Sequence, residues 1–184
     1  MTSTTLITGG CRSGKSRHAL ALASEYPGEQ KVFVATCVAD DEEMRRRVAR
    51  HQRERGPAWQ TIEEPVDLQG VIERQGPGAA LILIDCLTLW ISNLMALDMD
   101  EIRLSRVVAG LCRTIAHPPC ALILVTNEVG CGIVPENPLA RRFRDMAGWA
   151  NQQVAAVCTD VIWMVSGLAV TVKPGHASAR PGKD

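Results

Sequence analysis

An α/β fold built on a mostly parallel sheet, with helices on both faces, is what this sequence predicts. Four short runs rich in β-branched and aliphatic residues, at 4–8, 32–36, 81–85 and 121–126, lack polar alternation. Strands of that kind are buried on both faces and need a helix layer on each side. Longer stretches with apolar residues at helical spacing separate them. A third observation closes the sheet. Residues 161–165 and 168–172 flank Ser166-Gly167, which reads as a hairpin and so an antiparallel edge.

Taken in order, the strand at 4–8 runs into a glycine-rich loop, and a helix at 15–25 leaves it. After the strand at 32–36, a helix is expected over 41–53. Asp40 can cap it, with Glu43 at the capping-box position. Asp41–Arg45, Glu42–Arg46 and Glu43–Arg47 are i,i+4 pairs in the favourable order, acids first. Further helices are expected over 66–75, 87–96, 100–116 and 139–158. No repeat or linker divides the chain, so residues 1–173 form one domain. Residues 174–184, "PGHASARPGKD", are small and polar, and are expected to be a disordered tail.

The bulk numbers exclude several functions. A chain of 184 residues suffices for one full core. Twenty basic residues balance twenty acidic ones, which argues against a nucleic-acid partner. Seven cysteines include no C-x-x-C pair, so no zinc site is expected. The start has neither the basic nor the apolar region of a signal peptide. No apolar run approaches the roughly 18–20 residues of a membrane span. The expectation is a reduced, cytoplasmic protein.

The loop "GGCRSGKS" fits G-x-x-x-x-G-K-[ST], with Gly9, Gly14, Lys15 and Ser16 at its fixed positions. Strand before and helix after are what the motif requires. Backbone amides of Gly9, Gly10, Cys11, Arg12, Ser13 and Gly14 would then converge on phosphate oxygens. Lys15 would neutralise the β- and γ-phosphates, and Ser16 would ligate Mg²⁺. Asp85 ends an apolar strand, either as a second Mg²⁺ ligand or as a cap on the following helix.

The segment "EEMRRRVARHQRERGPAW" poses its own question. From Asp40 to Arg55 there are five acids and six arginines, a near-neutral balance that suits a solvated helix face. His51 follows Met44 and Val48 at i, i+4, i+7, so it shares the apolar stripe. It is either a core histidine or a nucleophile. Arg50, Arg53 and Arg55 would keep its imidazole neutral and could hold phosphate oxygens.

Three blocks, "TGGCRSGKSRHA", "DDEEMRRRVARHQRERGPAWQTIEEP" and "VTNEVGCGIVPENPLARRFRDMAGWANQQVA", go further. Over nearly its whole length the chain resembles the bifunctional adenosylcobinamide kinase/adenosylcobinamide-phosphate guanylyltransferases of cobalamin biosynthesis. The resemblance implies a RecA-like P-loop fold, commonly trimeric. It implies phosphorylation of adenosylcobinamide by ATP or GTP, then transfer of GMP from GTP through a guanylyl-histidine to adenosylcobinamide phosphate. By the same likeness His51 is that histidine. Val34, Ala35, Thr36, Gln52, Arg53, Glu54, Arg55, Glu63 and Asp85 fall where the family contacts GTP. Cys11 stands where the family often has Ala, and Asp85 where Glu also occurs. The rival readings are a P-loop small-molecule kinase without a covalent step, and a nucleotide-driven regulatory module.

Overall fold

A computed structural model describes residues 2–37 and 59–175. Seven strands form a single sheet in the order β3-β2-β4-β5-β1-β6-β7. They are β1 (Thr4–Gly9), β2 (Lys31–Ala35), β3 (Trp59–Glu63), β4 (Leu81–Asp85), β5 (Ala121–Val125), β6 (Asp160–Val165) and β7 (Leu168–Lys173). The first six strands are mutually parallel, and β7 pairs with β6 antiparallel. This is the expected architecture, with its edge hairpin at Ser166 and Gly167. Both turn residues have positive φ, 51° and 87°, which suits the right-handed twist of a two-residue hairpin.

The two-residue period of the strands sorts the core into two layers. Leu6, Val34, Ile82, Ile84, Leu122 and Leu124 point to one face. There they meet side chains of α2 (Leu68–Gln75), α3 (Leu87–Ala96), α4 (Glu101–Ala116) and α5 (Pro138–Val157). Ile7, Phe33, Leu81, Leu83, Ile123 and Val125 point to the other, where Ala19 and Ala23 of α1 (Lys15–Ser24) cover them. Burial on both faces is why these strands read as unbroken apolar runs.

Three helix starts, those of α2, α4 and α5, are set by side-chain caps. Asp67 Oδ1 accepts from the Gly70 amide, Asp100 Oδ1 from Arg103 and Asn137 Oδ1 from Ala140. The last helix therefore begins at Pro138, whose missing N–H costs nothing in a first turn.

One strand was not expected. β3 is an edge strand paired only with β2, and none of its five residues is fully buried. Without a continuous apolar run, "WQTIE" gives only a weak signal beside the charged segment before it. The helix expected over 41–53 and residues 176–184 of the tail lie outside the described residues. At the start of that tail, Gly175 is tied by its amide to Asp160 Oδ1 at 2.8 Å.

Candidate active site

The parallel strands end along one edge of the sheet, and the loops leaving them build the site, as open α/β sheets require. β1 runs directly into the phosphate loop. Gly9 has φ 152°, and a Cβ there would lie 2.5 Å from the Met164 carbonyl oxygen. Arg12 and Gly14 have φ of 55° and 94°. Gly14 is the N-cap of α1 and supplies no side-chain cap. The orphan amides of the first turn are thereby left for an anion, which the helix dipole also favours.

Lys15 is buried in this loop. Its Nζ donates to the Gly10 carbonyl at 2.7 Å and lies 3.4 Å from Ser13 Oγ. Burial pulls its pKa below the usual lysine value, while Cys86, Cys11, Asp85 and Glu128 oppose that shift electrostatically. The ammonium is thus curled over its own loop. Cys11, Arg12 and Ser16 are exposed on the open side.

Asp85 ends β4 and lies half-buried, close enough to Lys15 to act on its charge. Thr36, at the end of β2, is fully buried, and its polar groups are engaged inside the protein. Its Oγ1 accepts from the Cys86 amide and donates to the Cys86 carbonyl, both at 2.8 Å. The Thr36 amide donates to the Asp85 carbonyl, and Asn93 Nδ2 donates to the Thr36 carbonyl. Thr36 thus positions the chain around Asp85. Val34 and Ala35 are buried within β2.

Glu63 ends β3 and is exposed. Four strand steps separate β3 from β1, about 19 Å at the usual interstrand spacing. Phosphate loop and Glu63 are therefore well separated along the strand ends. His51, Gln52, Arg53, Glu54 and Arg55 lie outside the described residues.

A further acid belongs to the site. Glu128 follows β5, the strand between β4 and β1. Its amide donates to the Gly9 carbonyl at 3.0 Å, and its Oε1 accepts from Thr8 Oγ1 at 2.6 Å. The only sign in the sequence was its place just beyond a strand's C-terminal end. Asn127 beside it donates through Nδ2 to Cys86 Sγ at 3.3 Å, and its amide donates to Thr88 Oγ1 at 2.7 Å. Beyond them the loop is held by α5. Arg144 donates to the Gly130 carbonyl, and Arg141 to those of Pro135 and Glu136. Ile133 and Val134 stand exposed on it.

A glycine cradle at a helix N-terminus, a buried lysine and two carboxylates on neighbouring strand ends define a P-loop phosphoryl-handling enzyme. Residues 5–172 match the family model described as cobinamide kinase / cobinamide phosphate guanyltransferase, and the chain belongs to that family. It is 42% identical over 168 residues to the bifunctional adenosylcobalamin biosynthesis protein CobP of Pseudomonas aeruginosa, covering 91% of this chain and 96% of that protein. It is 38% identical over 180 residues to the bifunctional adenosylcobalamin biosynthesis protein CobU of Escherichia coli, covering 91% of this chain and 98% of that one. Among solved structures it is similar to the flagellar accessory protein FlaH of Methanocaldococcus jannaschii. That likeness has a TM-score of 0.49 and 18% identity, and covers 94% of this chain and 79% of FlaH.

Proposed function

We propose that this chain carries out both reactions for which its family is named, as a two-step enzyme of adenosylcobalamin biosynthesis. The observation that carries this is the intact phosphate loop, with Lys15 in electrostatic reach of Asp85 and Glu128, in a chain that matches the family from residue 5 to residue 172. In the first step adenosylcobinamide takes the γ-phosphoryl group of ATP or GTP. In the second, an imidazole nitrogen of His51 attacks the α-phosphorus of GTP. The bond from that phosphorus to the bridging oxygen breaks, and pyrophosphate leaves. A phosphate oxygen of adenosylcobinamide phosphate then attacks the same phosphorus, freeing the histidine and forming adenosylcobinamide-GDP.

Gly9, Gly10, Cys11, Arg12, Ser13, Gly14, Lys15 and Ser16 hold phosphates in this reading. Val34 to Thr36, Gln52 to Arg55, Glu63 and Asp85 complete the nucleotide site. Ser16 and Asp85 offer a hydroxyl and a carboxylate, the hard oxygen donors that suit Mg²⁺. When bound, the ion would neutralise charge on the phosphates. The exposed apolar residues Ile133 and Val134, on the loop after β5, would offer the bulky corrinoid acceptor a surface in this reading.

This reading includes a homo-oligomer, a trimer by the family resemblance. Cross-strand partners share a face, so Trp163 with Val170 and Val165 with Leu168 form an exposed apolar stripe on the β6–β7 hairpin. Assembly of copies through that stripe would cover it. Cys86, Cys120 and Cys158 are free thiols, which suits work in the reducing cytoplasm. No helix of the described residues is long and apolar enough to cross a membrane.

The test mixes protein, Mg²⁺ and GTP labelled on the α- or the γ-phosphorus. Protein-bound label from the α-position alone, labile in acid, stable in alkali and missing in His51→Asn, is the expected result. Phosphorylation of adenosylcobinamide with no protein-bound label would instead leave a P-loop kinase without a covalent step.

A further inference from the structure

We propose that Glu128 is the general base of the kinase step, taking the proton from the acceptor hydroxyl as that oxygen attacks the γ-phosphorus. The inference rests on the kinase reading above. It starts from position: β5 lies between β1 and β4, so the residue leaving its end stands between the phosphate loop and Asp85. Asp85 itself is two strands from β1, about 10 Å at ordinary strand spacing. Glu128 is bonded directly to the strand that feeds the loop, through the Gly9 carbonyl and the Thr8 hydroxyl.

Those two bonds also fix which oxygen is available. Oε1 accepts from Thr8 at 2.6 Å. Oε2 accepts no hydrogen bond among the described residues, and the side chain is half-buried rather than enclosed. The Lys15 ammonium is close enough to feel this carboxylate, and in P-loop enzymes that lysine marks the β- and γ-phosphates. A held carboxylate with one open oxygen thus borders the place where the transferred group would sit. A hydroxyl hydrogen-bonded to Oε2 would be oriented for attack. As its oxygen bonds to the γ-phosphorus, the bond from that phosphorus to the β–γ bridging oxygen breaks, the nucleoside diphosphate leaves, and Oε2 keeps the proton.

The two reactions of the chain separate this role from a structural one. The kinase acceptor is a hydroxyl that must lose a proton. The acceptor of GMP is a phosphate that is already ionised, so it needs no base. Glu128→Gln keeps the size, and its amide oxygen can still accept from Thr8.

The experiment assays the full chain for phosphorylation of adenosylcobinamide, and separately for GMP transfer to pre-formed adenosylcobinamide phosphate, over a range of Mg²⁺. Glu128→Gln should lower the kinase kcat about a hundredfold or more. Nucleotide KM and GMP transfer should change less than about threefold. Thr8→Val, which frees the carboxylate without removing it, should lower kinase kcat by a smaller factor and likewise spare GMP transfer. Equal losses in both reactions would overturn the proposal in favour of a structural acid. Recovery of Glu128→Gln at high Mg²⁺ would overturn it in favour of a metal ligand. No phosphorylation by the unaltered chain would sink the kinase reading, and the base with it.

Discussion

The backbone amide of Gly167 donates to the carbonyl of Ser13 at 3.0 Å, so the turn of the last hairpin clasps the phosphate loop from 154 residues away in sequence. The same hairpin strand brings the Met164 carbonyl over Gly9. Edge strands and nucleotide loop are therefore one mechanical unit, and the loop's shape depends on contacts its own sequence does not contain.

Two glycine variants separate shape from ligand contact. In Gly9→Ala the new Cβ meets the Met164 carbonyl oxygen at 2.5 Å and Ser13 Oγ at 2.8 Å. A loss of about 1–3 kcal/mol in denaturant unfolding is expected, together with weaker nucleotide binding. Among the described residues, Gly10→Ala meets no atom within 4 Å beyond its chain neighbours. Its stability should stay within about 0.5 kcal/mol of the parent, while nucleotide KM rises because the methyl occupies the cradle.

Thr36→Val tests the support beneath Asp85. The shape is nearly kept, but the buried Cys86 amide loses its acceptor, Thr36 Oγ1. Leaving that donor unmade should cost about 1–3 kcal/mol, read as a lower urea midpoint at unchanged slope. Thr36→Ser, which retains the hydroxyl, should recover part of the loss.

Lys15→Met should abolish phosphoryl transfer and yet leave the nucleotide-free protein at least as stable at neutral pH. The folded pKa of Lys15 lies below its unfolded value because burial penalises the charge. Below the folded pKa the lysine is charged in both states, and the penalty stands in full. As pH rises through the folded pKa towards about 10.4 the unfolded chain holds more protons, so lysine's contribution to stability rises with pH. Thermal unfolding of Lys15→Met should lack that part of the alkaline gain. A melting temperature well below the parent's at pH 7 would contradict the argument.

Thiol alkylation at pH 8 should divide the cysteines by burial. Cys11 and Cys131 are exposed and should react first, with nucleotide slowing Cys11. Burial pushes Cys120 up to about 11 and Cys158 up to about 12, so both should stay unmodified until denaturant is added. Peptide mass mapping reads the order directly.

Much of this was legible in the chain because the signals are local. Residues 81–85 and 87–96 appear as strand and helix at the expected bounds, since continuous aliphatic runs and helical periodicity reflect burial on both faces or on one. β3 was not legible, because an edge strand with half-exposed residues needs no apolar run. Glu128 was not legible as a site residue, because its meaning comes from Thr8, 120 positions away.

By itself the sequence determined the fold class, the phosphate loop and the family, because strand burial, loop glycines and long specific blocks are written in consecutive residues. Only the tertiary structure decided that β5 enters between β1 and β4, that Thr36 serves the Asp85 turn, and that Glu128 joins Lys15 at the loop. Those relationships depend on strand order, and strand order is set by how distant apolar faces pack together. No neighbouring residues encode it.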